Sequence, residues 1–251
     1  MTNLIPGAEP WSHVSDGPHG ALVVHGFTGN PGSMRGVAEA LAAAGFHVEM
    51  PLLPGHGTTV DDMLPTRWAD WHGAAEAAYQ TLAARAEKVV VVGLSMGGAL
   101  TLRLGADHPE IAGLVCINPA TQPQPPEVVE MLQGMVDAGT ESMPAIGSDI
   151  ADPDAHEAAY DATPLAPLLS LVQDGLAPLG AEYPNMRIPL LLLNSPQDHV
   201  VEPAQGDYLA AHYGGPVERV LLERSYHVAT QDYDKQIIFD RTVEFAQRVT
   251  A

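Results

Sequence analysis

Val89-Val90-Val91-Val92-Gly93-Leu94-Ser95-Met96-Gly97-Gly98-Ala99-Leu100 is the stretch whose reading decides the fold. Four β-branched residues in a row predict a strand buried on both faces, and the small and helix-forming residues from Gly97 to Ala106 predict a helix. Between them stands Gly-x-Ser-x-Gly. So sharp a turn strains the serine backbone, and Gly93 and Gly97 must be small for strand and helix to pass. The turn lifts the Ser95 hydroxyl out of the sheet and sets it at a helix N-terminus, where free N–H groups favour developing negative charge. That is the setting a nucleophile for acyl transfer requires. With 24 glycines in the chain the five-residue pattern alone carries little. The strand before it and the helix after it single out Ser95.

Composition sets the outer limits. A chain of 251 residues, 46% hydrophobic, suits one large α/β domain with a full core. No run approaches the ~18 apolar residues of a membrane span, and the opening residues have neither the basic start nor the apolar centre of a leader. A cytoplasmic protein without stable membrane insertion is expected. The single cysteine, Cys116, lies in the apolar run 113–118, which excludes an internal disulfide and predicts a buried, inert thiol. A formal net charge of −20 argues against nucleic acid, whose affinity comes largely from Lys and Arg. The same field disfavours anionic lipid surfaces and highly charged acidic substrates. No Lys or Arg occurs between Arg103 and Arg187, whereas Asp137, Glu141, Asp149, Asp152, Asp154, Glu157 and Asp161 fall there. This reads as a solvated acidic face and fits an uncharged small-molecule substrate. The sequence leaves the oligomeric state open.

The first strand is expected at Ala21–Val24, running into His25-Gly26-Phe27-Thr28-Gly29. In hydrolases with a serine elbow, a His-Gly turn after an early strand supplies one backbone N–H to the oxyanion hole, and the residue after the nucleophile supplies the other. Those donors are Phe27 and Met96. A helix with Ser33 as N-cap follows, stopped at Gly45, and then a strand, Phe46–Met50, with one wet face. His56 falls in a Pro- and Gly-rich loop and is read as structural. Trp71, Ala75, Tyr79 and Leu82 share one face of a helix over 69–86, a core stripe.

After the elbow helix comes a strand at Ile111–Ile117, so strands and helices alternate, which predicts a mainly parallel sheet with right-handed crossovers. The pattern changes from Thr121 to about Tyr183: Pro, Asp and Ala dominate, with short amphipathic pieces and no strand-like run. This predicts an inserted cap, residues 119–186, on a core of residues 1–118 and 187–251. Strands resume at Ile188–Leu193 and Val217–Leu222, and a last helix spans about Asp234 to Val249. In this architecture the members of a triad follow the order Ser, acid, His, each on a loop at the C-terminal end of a strand. Ser95, Asp198 and His227 fit. Asp207 lies too far into a helix, Asp232 follows the histidine, His199 adjoins the acid, and His212 sits within a helix.

Metal and nucleotide chemistry have no local signature. The eleven histidines form neither H-E-x-x-H nor H-x-x-x-H, one cysteine excludes C-x-x-C, and no Gly-rich phosphate loop is present. Other activities on such a scaffold, acyl transfer or carbon–carbon bond hydrolysis, stay open, as does a binding protein without catalysis.

Six motifs complete the reading: H-G-F-T-G-N-P-G-S-M-R (25–35), G-H-G-T-T (55–59), G-L-S-M-G-G-A-L (93–100), I-G-S-D-I (146–150), D-H-V-V (198–201) and S-Y-H-V-A-T (225–230). Together the chain resembles the bacterial monoacylglycerol lipase and carboxylesterase family over nearly its whole length, the cap from Gln122 to Ala145 matching least. The resemblance implies an α/β-hydrolase fold with a small helical cap, no cofactor, and cleavage of monoacylglycerols and short to medium esters. It implies Ser95 as nucleophile, His227 as base, Asp198 as orienting acid, and Phe27 and Met96 as oxyanion donors. It further implies that Ile146 narrows the alcohol pocket and that Glu157 binds glycerol hydroxyls.

Overall fold

The computed structural model describes residues 3–251. Lys88–Leu94 is the fourth strand of a seven-stranded sheet and lies at its centre. In chain order the sheet is built from β1 (Trp11–His13), β2 (His19–Val24), β3 (His47–Met50), β4 (Lys88–Leu94) and β5 (Gly113–Ile117). Two short strands, β6 (Ser142–Pro144) and β7 (Ala162–Pro164), form a separate pair, and β8 (Leu190–Asn194) and β9 (Val217–Leu221) complete the main sheet. The spatial order is β1-β3-β2-β4-β5-β8-β9, with every pairing parallel except β1 against β3.

The valine run explains the layering. Side chains alternate across a strand, so Val89 and Val91 face one core while Val90 and Val92 face the other. The first core is covered by α3 (Trp68–Ala83) and α4 (Met96–Asp107), with Trp71, Tyr79 and Leu100 in it. The second is covered by α1 (Arg35–Ala43) and α9 (Lys235–Thr250) through Val37, Leu41, Ile238 and Phe245. The turn α2 (Val60–Met63) precedes α3, and α8 (Ala204–His212) links β8 to β9. Full burial of each valine contributes about 1.5 kcal/mol by transfer from water, counted against a fully extended unfolded chain.

Residues 119–186 leave the sheet after β5 and return to it at β8. They carry α5 (Pro126–Asp137), the β6–β7 pair, α6 (Leu165–Ser170), a π-helical turn (Leu171–Leu176) and α7 (Ala177–Leu179). The strands in this segment correct the expectation that none occurs. Each is three residues long and ends in proline, too short for an alternating pattern and tolerable only at an edge.

Three other expectations shift. β1 was not anticipated, since Trp-Ser-His shows no period, and β2 begins at His19 rather than Ala21. β3 sends Val48 and Met50 into the core, and Glu49, on the opposite face, is part-exposed and turned to Ser12 and Arg85. Ser33 does not cap the helix. Asn30 caps a 3-10 turn over Pro31–Met34 by accepting from Gly32 N–H at 2.9 Å, and Ser33 is buried inside it, donating to Asn30 O.

Candidate active site

The C-terminal ends of β2, β4, β5, β8 and β9 lie along one edge of the sheet, and each feeds a loop there. At the end of β4, Ser95 has φ +57° and ψ −119°, a left-handed region that non-glycine residues rarely occupy. Its N–H donates to Ile117 O at 3.0 Å, and its carbonyl accepts from Gly98 and Ala99. The neighbouring glycines are obligatory. A Cβ on Gly93 would stand 2.0 Å from Gly97 O, and one on Gly97 would stand 2.3 Å from Val24 O.

At the end of β8, Asp198 turns its carboxylate toward the loop that follows β9. Oδ2 meets His227 Nδ1 at 2.7 Å, while Oδ1 accepts from the N–H groups of Val200 and Val201, both at 2.8 Å. Asp198 and His227 are buried. Ser95 and His227 line the same cavity, and no direct hydrogen bond joins their side chains; such bonds often tighten only when substrate is present.

The loop after β2 carries Phe27. Gly26 lies beside the elbow, where a Cβ would be 3.2 Å from Ser95 Cβ, and Thr28 is left-handed at φ +60°. Phe27 N–H and Met96 N–H, the latter at the first turn of α4, have no acceptor among the described residues. His25 braces the loop from behind: Nδ1 donates to Gly26 O at 3.0 Å, and Nε2 accepts from Leu53 N–H at 3.1 Å. His56 packs against it with ring centroids 5.0 Å apart, and donates from Nδ1 to Pro54 O. The structural reading of His56 therefore stands.

Burial lowers the pKa of His25 to about 3, helped by His56, and burial lowers that of His56 to about 4. Both rings are neutral in the fold, whereas the unfolded chain protonates them below about 6.5. Stability is therefore complete above that pH and is lost as acid is added, by up to about 1.4 kcal/mol per pH unit for each ring. His56→Phe is expected to flatten the fall in urea-unfolding free energy between pH 6 and 4.5 by up to about that amount. Pro54 O would keep its bond from Trp71 Nε1. An unchanged slope would refute the assignment.

The cavity has a volume of about 270 Å³ and is lined by Phe27, Ser95, Ile146, Glu157, Leu168 and His227 among others. Ile146 stands at its rim, 66% exposed. Glu157 is half-buried inside, close against Gly29. Burial raises its pKa, an effect that the charges of His227 and His156 partly offset. All seven residues singled out in the sequence thus lie at this edge.

The rivals are occupied elsewhere. Asp207 pairs with Arg219, His212 bonds Tyr208 O within α8, and His199 faces Asp149. Cys116 is buried, and burial pushes its thiol pKa up. Among the described residues no group of His, Cys, Asp or Glu is arranged to hold a metal, and no helix is long and apolar enough to cross a membrane. Sequence reasoning missed Asn118, Asp149, Ser195 and Asp232. They are buried polar residues that bond the loops carrying Asp198 and His227. The signal lay in Asn-Pro at a strand end and in I-G-S-D-I, noted only as a motif.

A family model described as serine aminopeptidase, S33 (Hydrolase_4) matches residues 18–234. The chain is 42% identical over 245 residues to the thermostable monoacylglycerol lipase of Bacillus sp. (strain H-257), covering 96% of this chain and 95% of that protein. It is 24% identical to the carboxylesterase of Bacillus subtilis (strain 168), over 93% of this chain and 94% of that one. A solved structure reported with the metagenome-derived lipolytic enzymes LipS and LipT matches with a TM-score of 0.91 at 40% identity, covering 98% of this chain and all of that one. The Paleococcus ferrophilus monoacylglycerol lipase, 20% identical with a TM-score of 0.71 over 94% of this chain and 99% of that one, shares the fold. The elbow, the parallel sheet and these likenesses agree: the chain belongs to the Hydrolase_4 family and is an enzyme, a serine hydrolase of the bacterial monoacylglycerol lipase and carboxylesterase family within the α/β-hydrolases.

Proposed function

We propose that the enzyme hydrolyses monoacylglycerols and other short- to medium-chain carboxylic esters through an acyl-enzyme formed on Ser95. The observation that carries this reading is a single cavity shared by the elbow serine and an Asp198-bound imidazole. His227 takes the Ser95 proton as the oxygen attacks the ester carbonyl, and Asp198 fixes the tautomer that leaves Nε2 free to accept it. The oxyanion of the tetrahedral intermediate is held by Phe27 and Met96 N–H. His227 then protonates the departing alcohol. Water, deprotonated by the same imidazole, releases the fatty acid.

Residues 119–186 act as a cap over this site, on a single α/β-hydrolase domain whose core is residues 1–118 and 187–251. Met143, Leu168 and Val200 give the cavity an apolar side for one acyl chain, and Glu157 gives it a polar end for glycerol hydroxyls. Ile146, at the rim, narrows the space for the alcohol. A volume of about 270 Å³ is small beside the roughly 300–1,000 Å³ of ordinary ligand pockets, which favours one chain over two. A cytoplasmic setting agrees with the lone, buried Cys116.

Monoacylglycerols of several chain lengths are expected to turn over roughly tenfold or more faster, as kcat/KM, than the matching diacylglycerols. An aminoacyl p-nitroanilide and a β-diketone, run alongside, test peptidase and carbon–carbon chemistry. Equal rates on mono- and diacylglycerols, or cleavage of the anilide or diketone alone, would overturn the proposal.

A further inference from the structure

The loop that carries His227 has no ladder or helix to hold it: it runs from the end of β9 to a 3-10 turn at Ala229–Gln231. Side chains hold its backbone instead. His227 N–H donates to Asp149 Oδ2 at 3.1 Å, and His227 O accepts from Asn118 Nδ2 at 2.8 Å. Both main-chain groups of the base are thus fixed by side chains from distant parts of the chain. Tyr226, just before it, is held similarly, its N–H by Asp232 Oδ2 at 2.9 Å and its carbonyl by Ser195 Oγ at 2.8 Å.

The same two side chains reach the loop of Asp198. Asn118 Oδ1 accepts from Ser195 N–H at 2.7 Å, and Ser195 O accepts from Asp198 N–H at 3.3 Å. Asp149 Oδ2 also accepts from His199 N–H at 3.1 Å, while its Oδ1 faces His199 Nδ1 at 2.8 Å. Asn118 holds a left-handed backbone, φ +41°, to make this reach. Both residues are buried, and neither lines the cavity that holds Ser95.

We propose that Asn118 and Asp149 are positioning residues that clamp the loop of His227 to the loop of Asp198, so that base and acid move as one body. Asn118 does so from the end of β5, and Asp149 from within the 119–186 segment. The clamp rests on the triad reading above and deepens it. Its consequence is specific. Movement elsewhere in residues 119–186 leaves the acid–base pair in register, because the point where that segment meets both loops is pinned at Asp149. Asp232 extends the pinning by accepting from Ala151 and Asp152 N–H as well as from Tyr226.

The chemistry of the clamp separates its parts. Asn at 149 keeps one carbonyl oxygen for the two backbone N–H groups and turns its amide toward His199 Nδ1. Ala at 149 leaves both N–H groups without an acceptor.

The test compares full-length wild type, Asp149→Ala and Asp149→Asn with p-nitrophenyl butyrate, and reads the low-field proton resonance of the His227–Asp198 hydrogen bond. Asp149→Ala is expected to lower kcat by roughly 30- to 100-fold with KM within about threefold, and to shift or erase the resonance. Asp149→Asn should restore kcat to within about threefold of wild type and keep the resonance. Asn118→Gly, which retains the left-handed backbone and deletes the amide, should reproduce the Ala signature and serves if Asp149→Ala does not fold. Retention of more than half the wild-type kcat by Asp149→Ala or Asn118→Gly would overturn the clamp. So would equal losses in the Ala and Asn variants at 149 with a native resonance. If the wild type hydrolyses no ester, the triad reading fails on its own, and the resonance still decides the clamp.

Discussion

Ser95→Ala is expected to lower kcat on a monoacylglycerol by roughly 10⁶-fold, with circular dichroism and cooperative unfolding preserved. The size follows from the division of labour proposed for the site. Without the oxygen no acyl-enzyme forms, and His227, Asp198 and the two N–H donors have no bond-making step to assist. Residual turnover would come from a water attacking an ester held between Phe27 and Met96, the fraction that binding and oxyanion contacts provide unaided. The fold should survive because the elbow is held by Gly93, Gly97 and the Ser95 backbone bonds, none of which uses the hydroxyl. Stopped assays with a fluorophosphonate label as a parallel readout would decide it. A variant that keeps more than a tenth of the wild-type rate, or still takes the label, rules Ser95 out as nucleophile.

Asp198→Asn should cost about 10⁴-fold in kcat with little change in KM. The substitution preserves shape: the amide oxygen can still accept from Val200 and Val201 N–H. What it reverses is the partner of the imidazole. An NH₂ group in place of Oδ2 presents hydrogens to His227 Nδ1, so the ring must carry its proton on Nε2, the atom that has to accept from Ser95. The imidazolium also loses its counter-charge in a buried setting. Steady-state kinetics on the purified variant read both effects. A loss of less than tenfold would mean that some other carboxylate orients His227, and Asp149, which accepts from the His227 backbone N–H, would be the first to check.

Much of this was legible in the chain. Four valines followed by Gly-x-Ser-x-Gly specified a doubly buried central strand, its turn and its helix, because burial on both faces leaves no polar position and the turn tolerates no Cβ at its flanks. The order of Ser95, Asp198 and His227 after successive strands was legible for the same reason, since parallel strands bring their C-terminal ends to one edge. What escaped was short or long-range. Trp11–His13, Ser142–Pro144 and Ala162–Pro164 are too brief to show a period, and their pairing is set by neighbours far off in sequence. Asn30 rather than Ser33 caps its helical turn because Pro31 starts the turn three residues earlier. The roles of Asn118 and Asp149 depend on loops 50 to 109 residues away, and no local pattern encodes such a bond.

Thr28, Ser95 and Asn118 are the non-glycine residues with left-handed backbone among those described, and all three border the edge where the strands end. Each forgoes roughly 1 to 3 kcal/mol of folding free energy. Selection for heat tolerance alone would therefore find its easiest gains at those three positions and dismantle the chemistry before it touched the scaffold. Gains that leave the enzyme working have to be sought on the far side of the sheet.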